Sequence, residues 1–255
     1  MNENPISYKI LLHSILSIAY DMLVAGSEVN KIEDAIAQMC QAYGVDEVDV
    51  FTITSTIVVT IHCSDGSIYT QTKRIKSCKI DFYKLEKLHD LVAIICRTTP
   101  EIAWIEAQRK AIRHPLRMER LQSYAIFSGI SFVFSCFFGG SWRDGISAMI
   151  SGIFINFILR WLEDPIQNKF VINVIASSVG ALTAYLLLRL GIAQSVDKVI
   201  IGNIMLLIPG LATVNAIKDM ISGDIIAGYL RLGDALIHAC AIAIGFALVL
   251  APLGV

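Results

Sequence analysis

The chain has 255 residues, a formal net charge of −1 and a composition that is 55% hydrophobic but only 17% charged. An ordinary soluble domain carries about a quarter charged residues, and the mean hydropathy of +0.62 points the same way. These values exclude a disordered chain, a disulfide scaffold and a free soluble enzyme; the near-neutral balance supplies no cationic face for nucleic acid.

The charge is unevenly placed. Residues 1–120 hold 29 of the 43 charged side chains and residues 121–255 hold 14. The front has globular chemistry, and the back is too apolar to live in water. Cys40, Cys63, Cys78, Cys96, Cys136 and Cys240 form no C-x-x-C pair and join no His cluster at metal spacing. Reduced thiols are therefore expected, with no metal or cofactor.

The first apolar stretch, ILLHSILSIAYDMLVAG at 10–26, is interrupted by His13 and Asp21 and lacks a strongly basic start, unlike a signal peptide. Ile15, Ile18, Ala19 and Met22 fall on one side of a helix, which predicts an amphipathic core helix. In EVNKIEDAIAQMCQAYG, Val29, Ile32, Ile36, Met39 and Tyr43 recur at helical spacing, and Gly44 is a natural stop. From Val48 the period is two. Phe51, Ile53, Ile57, Val59 and Ile61 are expected on one face and Thr52, Thr54, Thr56 and Thr60 on the other. Asp65-Gly66 then marks a hairpin turn into a second strand, SIYTQTKRI. Asp81 reads as the N-cap of a helix whose apolar face is Phe82, Leu85, Leu88, Val92 and Ile95. A further helix from about Pro100 ends in the basic run Arg109, Lys110, Arg113, Arg117 and Arg120. Residues 1–120 are thus expected to form an α+β domain.

Five apolar segments follow, at 121–140, 145–162, 170–188, 199–217 and 225–250. Each is long enough to cross about 30 Å of hydrocarbon. The expectation is an α-helical multi-pass membrane protein with five transmembrane helices, residues 121–255, behind a cytoplasmic α+β domain. With that domain inside, the inner flanks hold Arg97, Arg109, Lys110, Arg113, Arg117, Arg120, Arg160, Lys169, Lys218 and Arg231. The outer flanks hold Arg143, Arg189 and Lys198. This bias places the N-terminus in the cytoplasm and the C-terminus outside.

Polar groups within spans are costly, so functional candidates belong there. Pro209 and Gly210 fall mid-segment in VIIGNIMLLIPGLATVNAI. A second half-helix starting at Pro209 would present free N–H groups and a partial positive charge, suited to an anionic substrate group. A plain proline kink is the alternative. Asn215 and Asp219 are four apart and share a face, and Arg231, Asp234 and His238 follow at i, i+3 and i+7. Asp234 and His238 are proton-coupling candidates. In the competing reading, Arg231 and Asp234 pair at the interface and His238 is a packing residue. Asn156 and Asn173 suit hydrogen bonds between helices. Ala235, Ala239, Ala243, Ala247 and Ala251 form a small-residue stripe expected to be a packing face. In the front domain, His62 and Cys63 are strand neighbours that face opposite ways, His89-Asp90 has no partner nucleophile, and no phosphate-binding G-x-x-x-x-G-K-[ST] run occurs. No enzyme activity is read from these residues.

GSEVNKIEDAI…AYG, the Thr/Ser/Ile/Val strand pair ending near TKR, five spans, and LIPG…NAIKDMISGD…GYLR together resemble the threonine/serine exporter (ThrE) family, in its split, YjjP-type form. The resemblance covers essentially the whole chain. Its most specific parts are Gly26, Glu28 and Glu33 at the front, and Pro209, Gly210, Asn215, Asp219, Gly223, Gly228 and Arg231 at the back. It implies secondary export of small carboxylate-bearing metabolites, a dicarboxylate such as succinate or threonine and serine, across a bacterial inner membrane. It further implies a separate small YjjB-type membrane subunit, since the chain stops at Val255; membrane lipid and a second copy are other expected partners. The substrate-binding candidates are Pro209, Gly210, Asn215, Asp219 and Arg231, while Gly26, Glu28 and Glu33 are motif residues without a derived role. The second class of function is a membrane-anchored regulatory or hydrolase-like protein whose cytoplasmic domain is the active part.

Overall fold

The computed structural model describes residues 7–76, 78, 80–112, 120–162 and 168–254. The chain forms two compact units: Met1–Leu116 with Val214–Arg231, and Arg117–Thr213 with Leu232–Val255.

The first unit contains α1 (Tyr8–Val24), α2 (Val29–Ala42), β1 (Glu47–Ile53), β2 (Thr56–His62), β3 (Ile68–Arg74), α3 (Phe82–Thr98) and α4 (Ile102–Ile112). Helix α1 is its centre. Leu11, Leu12, Ile15, Leu16, Ile18, Ala19, Met22 and Leu23 are all buried, so the helix is enclosed on more than the one side expected. It packs against α2, α3, α4, β2 and β3, and each fully buried Leu or Ile stabilises the unit by roughly 1.5–3 kcal/mol. Asp21 of α1 pairs with Lys84 (3.0 Å) and Arg109 (2.9 Å), and Arg109 also pairs with Glu106 at 2.9 Å. Arg109, counted in sequence as a membrane flank, is thus turned into the domain. Arg113 and Arg117 lie outside the described residues.

The strand expected to run on from Val48 is in fact two. β1 and β2 pair antiparallel about Thr54-Ser55, with Ile53 opposite Thr56 and Thr52 opposite Ile57. Cross-strand partners share a face, so the turn reverses the parity that straight alternation assigns. Thr52 is buried beside Ile57, and Phe51 is 55% exposed. The hairpin at Asp65-Gly66 forms as read: Asp65 Oδ1 accepts the Ser67 N–H at 2.8 Å, Gly66 takes φ +79°, and β3 completes the order β1-β2-β3. Asp81 caps α3 by accepting the Lys84 N–H at 2.9 Å. Leu88, Val92 and Ile95 face inward, whereas Phe82, in the first turn, is 62% exposed.

The second unit contains α5 (Arg120–Phe137), α6 (Trp142–Leu162), α7 (Lys169–Arg189) and α8 (Val196–Leu207); α9 (Gly210–Ile221) and α10 (Ile225–Leu253) divide between the units. Among the described residues, α6, α7 and α10 are long and apolar enough to cross a membrane. The bent pair α8 and α9 makes a fourth span if counted as one, and α5 carries the shorter apolar run Leu121–Phe137.

Glycine and serine let these helices meet at backbone distance. A Cβ at Gly202 would lie 2.6 Å from the Ser131 carbonyl oxygen, and one at Gly245 only 2.4 Å from that of Val174. Several polar side chains bond across helices: Ser131 Oγ donates to Asn203 Oδ1 (3.4 Å), Asn203 Nδ2 to Ser151 Oγ (2.8 Å), and Ser151 Oγ to the Gly180 carbonyl (3.1 Å). Asn156 bonds Ser123 (3.2 Å) and Asn173 bonds His238 (3.1 Å), the helix-to-helix role expected of both asparagines. The alanine stripe is different. Ala235 is buried, but Ala239, Ala243, Ala247 and Ala251 are exposed, and the packed face runs through Ala241, Ile242, Gly245 and Phe246. Four-residue spacing overshoots a 3.6-residue turn, so such a stripe winds away from any one contact line.

Candidate functional site

After α1 the chain turns at Gly26, whose φ of +95° is a left-handed conformation suited to glycine. Glu28 occupies the N-cap position of α2 in extended conformation, and its side chain makes no capping bond. The first N–H groups of a helix need an acceptor. Here it comes from far along the chain: Asp219 Oδ1 accepts the Val29 N–H at 3.2 Å. A carboxylate at this place also meets the positive end of the helix dipole.

Asp219 is held there by a tight helix pair. The end of α9 closes with Gly223 left-handed (φ +100°), while Asp224 N–H bonds the Asp219 carbonyl and Gly223 N–H that of Met220. This is the 6→1 and 5→2 pattern of a Schellman stop. Helix α10 starts directly after it and crosses α9 at Gly228. One turn later comes Arg231.

Arg231 Nη2 donates to the Ser27 carbonyl at 2.6 Å, and Nη1 lies 3.3 Å from Asp219 Oδ2. The pair is deeply placed, with Asp219 side chain 0% and Arg231 side chain 12% exposed. Asn215 Nδ2 donates to the Gly26 carbonyl at 3.3 Å. At the exposed margin, Lys218 Nζ bonds Glu28 Oε1 (3.0 Å), Lys31 lies 3.5 Å from the same oxygen, and Asn30 Nδ2 bonds Ser222 Oγ (3.2 Å). Two buried oxygens here make no hydrogen bond, Ser27 Oγ and Asp219 Oδ2; the Arg231 contact to the latter is therefore an ion pair without a hydrogen bond.

One turn along α2, Glu33 Oε1 accepts the Thr52 N–H at 2.8 Å. Burial, reinforced by the charges of Asp224 and Asp34, raises the Glu33 carboxyl above its ordinary range against the pull of that bond. Burial also raises Asp224. Glu28 goes the other way: burial opposes its ionisation, but Lys218 and Lys31 outweigh it and hold the carboxyl low.

The structure therefore gathers Gly26, Glu28, Asn215, Asp219 and Arg231 in one place, with Glu33 one turn on. Arg231, which three-residue spacing sets beside Asp234, pairs instead with Asp219. Four candidates fall in the second unit. Helix α8 ends at Leu207 and α9 begins at Gly210, the pair bending by 54°, with the Pro209 carbonyl accepting the Thr213 N–H at 3.1 Å. Asp234 is exposed on α10, and His238 bonds Asn173. Among the described residues no group of His, Cys, Asp and Glu gathers to hold a metal ion.

Ser27, Asn30, Lys218 and Ser222 lie inside the two motif stretches read from sequence, Lys218 as a membrane flank, but none was singled out for the site, because their contacts arise only when α2 and α9 meet. Sequence reading missed Asp144. Ser141 and Asp144 form a capping box at the start of α6: Asp144 Oδ2 accepts the Ser141 N–H (2.9 Å), and Asp144 N–H approaches Ser141 Oγ (3.3 Å). The other carboxylate oxygen holds the turn that leads into α8 by accepting the N–H groups of Gln194 (2.7 Å) and Ser195 (2.8 Å). The S-x-x-D spacing was its only readable signal.

Residues 13–252 match the family described as "Putative threonine/serine exporter". The chain is 24% identical over 241 residues to the "Probable threonine/serine exporter" of Mycobacterium tuberculosis, and the match covers 92% of the chain but 45% of that relative. The chain thus spans less than half that relative's length. It is 23% identical to proteins named "Probable succinate transporter subunit YjjP" from Klebsiella aerogenes and Escherichia coli, each match covering 90% of the chain and 89% of the relative. No solved structure matches.

Proposed function

Given that the chain belongs to the threonine/serine exporter (ThrE) family, we propose that it is the larger membrane subunit of a secondary exporter for small carboxylate-bearing metabolites, a dicarboxylate such as succinate, or threonine and serine. In this reading α5, α6, α7, the α8–α9 pair and α10 are five spans in a bacterial inner membrane, with the N-terminus cytoplasmic and the C-terminus outside. A separate small YjjB-type membrane protein completes the path.

The observation that carries the reading is the Asp219–Arg231 pair, buried beside the N-terminus of α2 with Asn215. Burying two charges costs several kcal/mol each before their attraction is counted, so apolar packing would serve stability as well, and a guanidinium beside the N-terminus of a helix is carboxylate chemistry. The margin suits both substrate classes: Lys218 and Lys31 fit a second carboxylate, and Glu28 fits an α-ammonium. The half-helix beginning at Gly210 after Pro209 is a second place for a substrate carboxylate, and Asp234 and His238 are the groups proposed to couple export to protons.

Counterflow of radiolabelled succinate, threonine or serine in proteoliposomes, with and without the small subunit, tests this. Flux with one class and its loss in Arg231→Ala are expected; no flux with any substrate overturns the reading. Flux that survives Pro209→Ala with Gly210→Leu removes the half-helix from the path. Unchanged response to a pH gradient in both His238→Ala and Asp234→Asn removes those residues from coupling.

A further inference from the structure

The donors around Asp219 have the composition of a site for a carboxylate: the Val29 N–H, the Arg231 guanidinium, and the Asn215 amide one turn back on α9. The carboxylate they surround belongs to the chain itself. It fills the site incompletely. Its Oδ1 has one hydrogen bond at 3.2 Å, and its Oδ2 has an ion pair but no hydrogen bond. Arg231 also binds the Ser27 carbonyl, and the Ser27 Oγ is buried with no hydrogen bond among the described residues. A buried charged oxygen without a hydrogen bond is not the arrangement a purely structural cap needs.

We infer that Asp219 is the resident anion of a carboxylate-binding site, and that a substrate carboxylate binds by displacing it from Arg231 and the α2 N-terminus. This deepens the exporter reading and rests on it. The exchange balances charge: one carboxylate leaves the guanidinium as another arrives, so Arg231 is never left buried and unpaired. Positive charge stands at the exposed margin, where Lys218 and Lys31 share Glu28. The two contacts at that margin, Lys218 to Glu28 and Asn30 to Ser222, are exposed and cost little to open. The arrangement makes the protein its own competitive ligand, and apparent substrate affinity falls by the fraction of molecules in which Asp219 occupies the site.

The test uses the full chain in detergent with acetate and succinate as probes. In Asp219→Asn, which keeps the shape and an acceptor for the Val29 N–H but removes the charge, succinate is expected to bind at least about tenfold more tightly than to wild type. In Asp219→Ala, acetate is expected to raise the unfolding temperature, with little effect on wild type or on Asp219→Ala combined with Arg231→Ala. Unchanged or weaker succinate binding in Asp219→Asn overturns the inference, as does an acetate response that survives loss of Arg231. Where Asp219→Asn does not fold alone, because Arg231 is left unpaired, folding restored by succinate supports the inference and no restoration by succinate overturns it. Wild-type counterflow is scored separately, so transport with a normal Asp219→Asn response rejects the displacement while leaving the exporter standing.

Discussion

Gly228 of α10 lies so close to Met220 of α9 that a Cβ there would stand 2.5 Å from Met220 Cγ and 2.7 Å from the Ala216 carbonyl oxygen. The methionine side chain could move, but the backbone oxygen could not without separating the helices. Gly228→Ala is therefore expected to cost about 1–3 kcal/mol and to move Arg231, one turn on, away from Asp219. Thermal unfolding in detergent reads the first effect, and counterflow reads the second. A variant with wild-type flux would show that the Arg231–Asp219 distance does not matter to transport.

Asp21 anchors both α3 and α4 to the central helix through Lys84 and Arg109, whose side chains are 16% and 11% exposed. Asp21→Ala leaves two enclosed cations without it. A loss of about 3–5 kcal/mol is expected, larger than that of an exposed pair such as Lys87–Asp90, where Asp90→Ala costs roughly 0–1 kcal/mol. Urea unfolding of the two variants checks the contrast.

Glu28 and Glu33 sit on one helix and are expected to respond oppositely to pH. The Glu28 carboxyl is held low once Lys218 and Lys31 outweigh its burial, so its contribution is complete at neutral pH and disappears as pH falls through the acid range. Glu28→Gln should lower stability at pH 7 by about 0.5 kcal/mol and converge with wild type in acid. Burial and nearby acidic groups raise Glu33, so its protonated form favours the fold and the benefit fades as pH rises past the ordinary carboxylate value. Glu33→Gln should therefore be more stable than wild type at pH 7. Unfolding temperatures across pH 3–8 decide between these signs.

Asp144 ties the start of α6 to the start of α8 through both carboxylate oxygens. Asp144→Ala is expected to destabilise by about 2–4 kcal/mol, as three backbone N–H groups lose an acceptor. Asp144→Asn should recover part of this, because one oxygen remains to accept. Hydrogen exchange at Gln194 and Ser195 should speed up in both, and most in the alanine variant.

Elements with strong local chemistry were legible from sequence. Asp81 capped a helix, Asp65-Gly66 turned a hairpin, and Pro209 separated two helices, because each depends on residues within a turn of itself. The turn at Thr54-Ser55 was not, since neither residue demands a reversal; only pairing with β2 selects it, and that inverted the faces of Thr52 and Phe51. The alanine stripe was legible as a pattern but not as a contact, because the partner helix decides which side of α10 is covered. The same split applies to the candidate site. Asp219 and Arg231 stood out as charges in apolar segments, but their pairing, and the link to Gly26, Ser27 and Glu28, needs the chain to return from nearly two hundred residues away.

That return sets an order of events during synthesis. Val29 emerges from the ribosome 190 residues before the carboxylate that accepts its N–H, a lag of roughly 10–40 s at ordinary elongation rates. Throughout it, α1, the sheet and α2 can collapse, but the start of α2 has only water for its first N–H. The front unit is finished only after the chain has passed through four of the apolar helices and delivered the α9–α10 turn. Its last stitch waits for the membrane part to be made, so a mistake in inserting α8 or α9 would leave the front domain open as well, a fault that proteases acting near Gly26–Val29 would detect.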